Sequence, residues 1–476
     1  MILLVSLIPI SFGILTYFFK KKTSLLVTIS YILTFLFLTI FQEGSFVLGN
    51  YSALKGIEFS FDPTSKFLLI LFNLFSLITF FRIYKNYDHV FFSLWLLLTG
   101  SINGFFMSRD FFNIYVHLEL ASILTFLLLS YDKNEIRIWA ALKYMMMSLV
   151  SLNFYLIGVG ILYSNSGTLN LNYNLSNGIN TFAFSFILTG LLTKGGLFFL
   201  SGWLPDAHTE AVKGTSPILS GIIVKLPLFI IYLLIPSLPN ELRIFLYYFA
   251  VITAICSSLF TLLQNDIKKF MAYSTMTQMS YGLMIILINP PFFPYFIVYH
   301  MFTKGFLFMI AEDIYEKNGT KNLKELDGSQ ISLDTFFLLI FLLMNLGGLF
   351  PFSLYIIKDN LSLPYFLEIN IFIFGMYFYK LLNTFKVKKK NFEYKYWYMF
   401  IFAILNVVSI TYYFTTIASN LSILKILTEY LLFAAGILSF LFLRKKVSLP
   451  SIEIYSFENS FIYQISFLLV ALLMEM

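Results

Sequence analysis

Charge is scarce in this sequence. Only 12% of its 476 residues are Asp, Glu, Lys or Arg while 59% are hydrophobic, and a soluble globular domain carries about 25% charged residues. Neither a soluble fold nor a disordered chain fits those figures. Cysteine is nearly absent, with Cys256 alone, which excludes an internal disulfide framework and any cysteine-rich iron–sulfur or zinc cluster. Nucleotide and protease signatures are missing as well. Gly158 and Gly160 give a G-x-G with Tyr163 where a third glycine should stand, and there is no P-loop and no H-E-x-x-H. Energy from a nucleotide or redox cofactor, if used, must therefore come from partner proteins. Apolar sequence, by contrast, is plentiful. Runs of about 18 residues or more recur from end to end, so the chain reads as an all-α polytopic membrane protein embedded in the lipid bilayer. The alternating segments of an outer-membrane barrel do not occur.

Sixteen hydrophobic segments are expected, at 1–19, 24–41, 62–81, 89–107, 111–131, 137–163, 178–202, 214–235, 244–264, 269–289, 291–312, 331–362, 365–385, 396–416, 422–443 and 459–474. The last is short enough to lie at the interface. The first lacks a preceding basic residue and a small-residue cleavage site, so it reads as a retained helix rather than a signal peptide. The net charge of +7 raises nucleic acid as a partner, but the basic residues sit in short loops and have a better explanation. With the first four residues of each segment counted in the connection before it, connections after odd-numbered segments hold twenty-one lysines and arginines, and those after even-numbered segments hold four: Lys55, Arg109, Arg243 and Lys425. The positive-inside rule then puts the N-terminus outside and the basic loops in the cytoplasm.

Seven lysines fall within the segments beyond their first four residues: Lys66, Lys143, Lys194, Lys225, Lys304, Lys358 and Lys380. A lysine at bilayer depth costs at least ~2.5 kcal/mol on insertion scales, so it marks a function by default. Lys66 lies near a segment end and reads as snorkelling, and Lys143 divides evenly between snorkelling and function. Lys194 and Lys225 lie deeper, with Gly195, Gly196, Pro205, Pro217 and Pro227 interrupting the helical pattern beside them. Broken helix at that depth is tolerated only inside protein or beside a water-filled cavity.

Glu119 is the intramembrane acid. It reads either as a structural ion pair or as the group that faces Lys194 or Lys143 and sets that lysine's charge. Pairing holds the ammonium charged, and separation in an apolar site favours the neutral amine. His300 and Lys304 are spaced i, i+4 and share a helix face, a spacing that suits a proton relay. Asp206 and His208 lie just past the seventh segment, as an entrance or as caps of a broken helix.

A weak internal echo points to duplication. KGGLFFLSGWLPD in the seventh segment resembles LGGLFPFSLYIIKD in the twelfth, five segments on and so opposite in direction. Inverted repeats with discontinuous helices near the midplane carry that signature. Lys194 and Lys358 would be comparable positions, and Lys225 would correspond loosely to Lys380.

Several stretches resemble the antiporter-like subunits of respiratory complex I, whose relatives occur in membrane-bound hydrogenases, ferredoxin-linked complexes and Mrp-type sodium/proton antiporters. They include FDPTSKFLLILFNLFSLITFF, FNIYVHLELASILTFLLLSY, TKGGLFFLSGWLPDAH, SPILSGIIVKLPLFIIYLL, QNDIKKFMAYSTMTQMSYG, HMFTKGFLFMIAEDIYEKNGTKNLKEL and LGGLFPFSLYIIKDN. The likeness runs from about Phe59 to Asn360, and its W-L-P-D-A-H and D-I-K-K-x-x-A-Y-S-T runs are specific.

The resemblance implies fourteen core helices, two inverted five-helix repeats, and breaks in helices seven and twelve. It divides one integral membrane domain into N-terminal helices (1–84), a first repeat (88–235), an inverted second repeat (242–385) and C-terminal helices (395–476). It implies that Glu119 and Lys194 form the glutamate–lysine pair, that Lys225 bridges, that Lys304 with His300 continues the path, and that Lys358 ends it. Lys380 matches no motif and stands as a possible relay or entrance residue. The family pattern K-S-A is here Lys194-Gly195-Gly196, and G-x-P-P-x-x-G-F is here GGLFPFSLYII, so the breaks should differ locally. A long C-terminal lateral helix is not expected.

The leading expectation is thus an ion-translocating subunit in the cell membrane, moving protons or exchanging them with sodium. It performs no redox chemistry itself. Its partners are other membrane subunits, homologous antiporter-like ones among them, and any iron–sulfur, NiFe, flavin or quinone group belongs to those partners. A self-contained secondary transporter and a scaffold with purely structural lysines are the alternatives.

Overall fold

The structure is a computed structural model. It describes residues 2–359, 364–387, 399, 402, 406, 423–446 and 457–473. Apart from Met399, Phe402 and Asn406, the segment expected at 396–416 lies outside the described residues.

The described chain is mostly helical, because a backbone crossing a bilayer must satisfy its own polar groups. Its helices are α1 (Leu4–Phe18), α2 (Thr23–Ile40), α3 (Pro63–Ile83), α4 (His89–Met107), α5 (Phe111–Leu129), α6 (Glu135–Ser166), α7 (Leu171–Asn177), α8 (Thr181–Lys194), α9 (Trp203–Glu210) and α10 (Thr215–Gly221). They continue as α11 (Leu226–Leu234), α12 (Asn240–Leu263), α13 (Ile267–Ile288), α14 (Phe293–Asn318), α15 (Leu333–Gly347), α16 (Ser353–Asp359), α17 (Pro364–Leu382), α18 (Ile423–Lys446) and α19 (Phe457–Leu473). Among the described residues nine helical spans are long and apolar enough to cross a membrane. Strands β1 (Gly44–Val47) and β2 (Glu58–Phe61) form an antiparallel hairpin, and β3 (Ser329–Ile331) pairs in parallel with β4 (Phe385–Val387). The connection at 164–177, expected as loop, instead holds the end of α6 and the short α7. Gly167 ends α6 at φ 68°, and the Asn170 side chain caps α7 through the Tyr173 N–H at 2.9 Å.

The chain separates into two compact units, Met1–Phe245 with Phe457–Met476, and Leu246–Ser456. In the first, small residues let helices approach closely, as they must where lipid removes most of the hydrophobic drive for association. A Cβ on Gly100 of α4 would sit 2.8 Å from the Ser6 carbonyl of α1, and Ser6 Oγ donates back to the Gly100 carbonyl at 2.7 Å. Asn73 and Asn103 add a buried amide pair at 2.9 Å, and Asn103 also donates to the Val5 carbonyl at 2.9 Å. α6 and α8 meet the same way: a Cβ on Gly190 would lie 2.3 Å from the Ser151 carbonyl, and one on Gly158 2.7 Å from the Ala183 carbonyl. The two residues of the G-x-G therefore part company, since a Cβ on Gly160 meets nothing within 4 Å.

Each unit repeats one hydrogen-bond pattern. In the first, Asp110 caps α5 through the Asn113 N–H at 2.8 Å. Beside it, Phe111 N–H donates to the Leu169 carbonyl and Leu171 N–H to the Arg109 carbonyl, both at 2.9 Å. In the second, Asp266 caps α13 through the Lys268 N–H at 2.7 Å. There Ile267 N–H donates to the Lys321 carbonyl at 2.9 Å and Leu323 N–H to the Asn265 carbonyl at 2.7 Å. α6 and α14 both end at a left-handed glycine, Gly167 and Gly319.

The segments expected at 178–202, 214–235 and 331–362 are all interrupted. α8 stops at Lys194, Gly196 turns with φ 78°, and α9 begins at Trp203 after a 3-10 turn at Phe198–Leu200. The carbonyl of Thr193 freed by this break accepts Ser201 Oγ at 2.6 Å and Trp203 Nε1 at 3.3 Å. In the second unit α15 stops at Gly347, Gly348 turns with φ 69°, and α16 begins at Ser353. α10 and α11 are separated by Ile222 at φ −130° and a 3-10 turn at Ile223–Lys225, with Pro227 in the first turn of α11.

Packing makes two predictions. Gly190→Leu forces α6 from α8 and should lower stability by about 1–3 kcal/mol, the usual cost of overpacking, whereas Gly160→Leu should be near neutral; thermal unfolding of the purified protein in detergent compares them. Gly348→Ala must hold a left-handed conformation, costing about 1–2 kcal/mol, and its Cβ would meet Lys358 Cδ at 2.5 Å. It should lower the unfolding midpoint, whereas Gly44→Ala, in open space, should leave it near wild type.

Candidate functional site

The first unit assembles its buried charge around the end of α8. Lys194 is 2% exposed, and its ammonium donates to Ser122 Oγ on α5 and Ser148 Oγ on α6. The close α6–α8 approach at Gly190 brings Ser148 within reach. The Tyr144 ring lies 5.5 Å from the ammonium and packs edge-on against Trp203 of α9, which fixes the cation's open side.

Glu119, one turn before Ser122 on α5, is half-buried. It does not touch the ammonium. Its Oε2 is buried without a hydrogen-bond partner, and the carboxylate acts on Lys194 through its charge alone. Of the two partners open to Glu119 in the sequence, Lys143 is engaged elsewhere, in an ion pair with Asp206 of α9 at 2.8 Å. That pair is partly solvated, with side chains 38% and 31% exposed, and it ties α6 to the second half of the broken helix. His208, on the same short helix, is fully buried, and its carbonyl accepts Ser216 Oγ at 3.0 Å. Lys225 is 2% exposed at the α10–α11 break and donates to the Ser220 carbonyl. Lys66 reaches the Phe41 carbonyl at 3.3 Å near the end of α2, as a snorkelling residue should.

In the second unit Lys304 is fully buried on α14, donating to the Met271 carbonyl at 2.9 Å and to Ser274 Oγ, both on α13. His300 lies one turn away on the same face, its ring stacked on Phe296 at 5.6 Å. Lys358 stands at the end of α16 and reaches back to the break, donating to the Leu346 carbonyl at 2.8 Å and the Gly347 carbonyl at 3.3 Å. Lys380 caps the end of α12, with bonds to the Leu262 carbonyl at 2.7 Å and the Gln264 carbonyl at 2.6 Å. A cation on the last carbonyls of a helix is favoured by the helix dipole, so these bonds give Lys380 a structural task.

The Gly-Gly match sets the register of the two breaks. It pairs Lys194 with Leu346 and Asp206 with Lys358, so the two lysines are not equivalent residues. Both nevertheless put an ammonium at the end of the first half-helix. The hydroxyls of Ser122, Ser148 and Ser274 carry no signal in the sequence, because serine is common on the packed faces of membrane helices. Among the described residues no group of three or more His, Cys, Asp or Glu side chains converges as a metal site would require.

Comparison with known proteins gives this arrangement its context. Residues 108–384 match the family model described as NADH:quinone oxidoreductase/Mrp antiporter, TM. A Na(+)/H(+) antiporter component from Alkalihalophilus pseudofirmus is 25% identical over 429 residues, covering 83% of this chain and 87% of that protein. The NADH-quinone oxidoreductase subunit M of Rickettsia typhi is 28% identical over 67% of this chain and 66% of its own length. The fold is similar to a chain in the solved structure of the membrane-bound sulfane sulfur reductase, an archaeal respiratory membrane complex. Its TM-score is 0.78 at 19% identity, covering 92% of this chain and 98% of that one. The family match spans more than half the chain and takes in Glu119, Lys194, Lys225, His300, Lys304 and Lys358: this multi-pass membrane protein belongs to the NADH:quinone oxidoreductase/Mrp antiporter transmembrane family.

Proposed function

We propose that this chain is the ion-translocating, antiporter-like subunit of a multi-subunit energy-converting complex of the cell membrane, its N-terminus outside. Its two five-helix repeats, 88–235 and 242–385, would be inverted, since the matched breaks lie five segments apart, an odd number. The hydrogen-bond pattern repeated within each unit supports the duplication. The ion is the proton, with exchange for sodium as a variant, and the relay groups are Glu119, Lys194, Lys225, His300, Lys304 and Lys358. Asp206, His208 and Lys143, near the basic cytoplasmic loops, would serve as the entrance.

The observation that carries this reading is Lys194 held by two hydroxyls, with Glu119 close enough to act on its charge but out of contact. A serine hydroxyl can accept from an ammonium or donate to a neutral amine, so the site accommodates both protonation states. Movement of Glu119 toward or away from Lys194 then favours one state or the other. A structural ion pair would bring the two into contact. Driving energy would reach the chain through partner membrane subunits, homologous antiporter-like ones among them, which would also carry any iron–sulfur, NiFe, flavin or quinone group. The match to a Na(+)/H(+) antiporter component over 83% of this chain favours a second reading, an Mrp-type assembly without redox partners. Copurified subunits would distinguish the two.

Ion transport into vesicles carrying the assembled complex tests the reading. Lys194→Ala and Glu119→Gln should each lower pumping by roughly tenfold or more, as expected for loss of a positioned proton-transfer group, while Lys66→Met stays near wild type. Wild-type pumping by an assembled Lys194→Ala complex would sink the relay.

A further inference from the structure

One buried carboxylate of the second unit has no role so far. Glu429 stands on α18 and is 7% exposed. Its orientation follows from packing. A Cβ on Gly436 of α18 would lie 2.1 Å from the Phe372 carbonyl, and one on Gly375 of α17 2.3 Å from the Phe433 carbonyl, so the two helices cross in near backbone contact. Phe433 stacks on Phe374 of α17 at 5.6 Å. Glu429, Phe433 and Gly436 follow i, i+4, i+7 and share one helix face, so the crossing that seats α18 on α17 also turns Glu429 inward. The next residue, Tyr430, donates to the Phe350 carbonyl in the α15–α16 connection and pins this turn of α18 beside the break.

That carboxylate and Lys358 line the same cavity. With Tyr281, Tyr355, Gly347 and Gly348 the two residues line a cavity whose space for water centres is about 10 Å³, room for about one water molecule. Lys358 is itself 6% exposed, and the charge of Glu429 acts on it. The ring of Tyr281 lies 4.3 Å from the ammonium on another side. Lys304 is the further basic group on which the charge of Lys358 acts.

We propose that Glu429 and Lys358 form a second carboxylate–lysine couple, in which Glu429 takes the proton that Lys358 releases at the α15–α16 break. The proposal deepens the relay reading and rests on it. In the step an Nζ–H bond breaks and an O–H bond forms on Glu429, the proton passing through the one water the cavity admits. Ammonium and carboxylate become amine and carboxylic acid. The couple carries no net charge before or after, so at no point does a lone charge stand in an apolar interior, the arrangement that costs most. Loss of the Lys358 charge also relieves the like-charge repulsion on Lys304, which readies that lysine to take the next proton.

The test uses the assembled complex in vesicles. Glu429→Gln should lower pumping by roughly tenfold or more, Glu429→Asp should restore part of it, and Glu429→Gln/Lys358→Gln should be no worse than Lys358→Gln alone. Wild-type pumping by Glu429→Gln, with Lys194→Ala still inactive, overturns the couple and leaves the relay standing. Wild-type pumping by Lys194→Ala and Glu119→Gln as well would instead remove the relay reading itself. A double variant clearly below Lys358→Gln places the action of Glu429 elsewhere and overturns the couple too. Where Glu429→Gln does not assemble, the pH profile of pumping by Glu429→Asp decides: a displaced profile supports the couple, and an unchanged one overturns it.

Discussion

A carbonyl freed by a broken helix and an ammonium without water are both expensive inside a membrane, and in this protein they repeatedly meet. Lys358 takes the Leu346 and Gly347 carbonyls at the end of α15, and Lys225 takes the Ser220 carbonyl at the α10–α11 break. Lys304 uses the Met271 carbonyl on a neighbouring helix. At the breaks served by Lys225 and Lys358, charge and irregular backbone are therefore best regarded as a single feature, each satisfying the need the other creates.

The acceptors differ in a way that bears on function. A carbonyl only accepts, so it always faces an N–H of the lysine. A serine hydroxyl accepts or donates, so it can also serve the lone pair of a neutral amine. Lys194 sits on two hydroxyls, Lys304 on one hydroxyl and one carbonyl, and Lys358 on carbonyls alone. Of the three, only Lys194 has hydroxyl acceptors alone. Lys358 is the one most in need of a carboxylate that moves in step with it, and Glu429 shares its cavity.

Much of this was legible in the sequence, for reasons that also explain what was not. Lysines inside apolar runs and the Gly-Gly pairs beside them are visible because a membrane permits so few of either. The left-handed glycines at 196 and 348 lie where those pairs announced a break. Close helix approach was hidden: Gly190 and Gly158 act by meeting a backbone on another helix, and no local pattern names that partner. Ser122, Ser148 and Ser274 were hidden for the same reason. Glu429 sits within two turns of the expected start of its segment at 422 and outside the stretch that resembles the family, so it reads as an interfacial residue until its helix face is known. The bonds of Lys380 to the end of α12 were hidden as well, since no motif names that partner.

The register of the two breaks explains why the internal echo in the sequence is so short. One unit places its lysine before the turn and the other eleven residues after its matched glycine pair begins, at Lys358 against Gly347. Both belong to the end of the first half-helix, Lys194 as the last residue of α8 and Lys358 through its bonds to the Leu346 and Gly347 carbonyls, where the dipole attracts a cation. A site defined by where a positive charge must stand leaves the residue that supplies it free to change, provided the side chain is long enough to reach. Lysine, with four methylenes, meets that condition from either side of the turn. What the two units hold in common is the position of an ammonium relative to a helix end, and an alignment of letters records that only at the glycines.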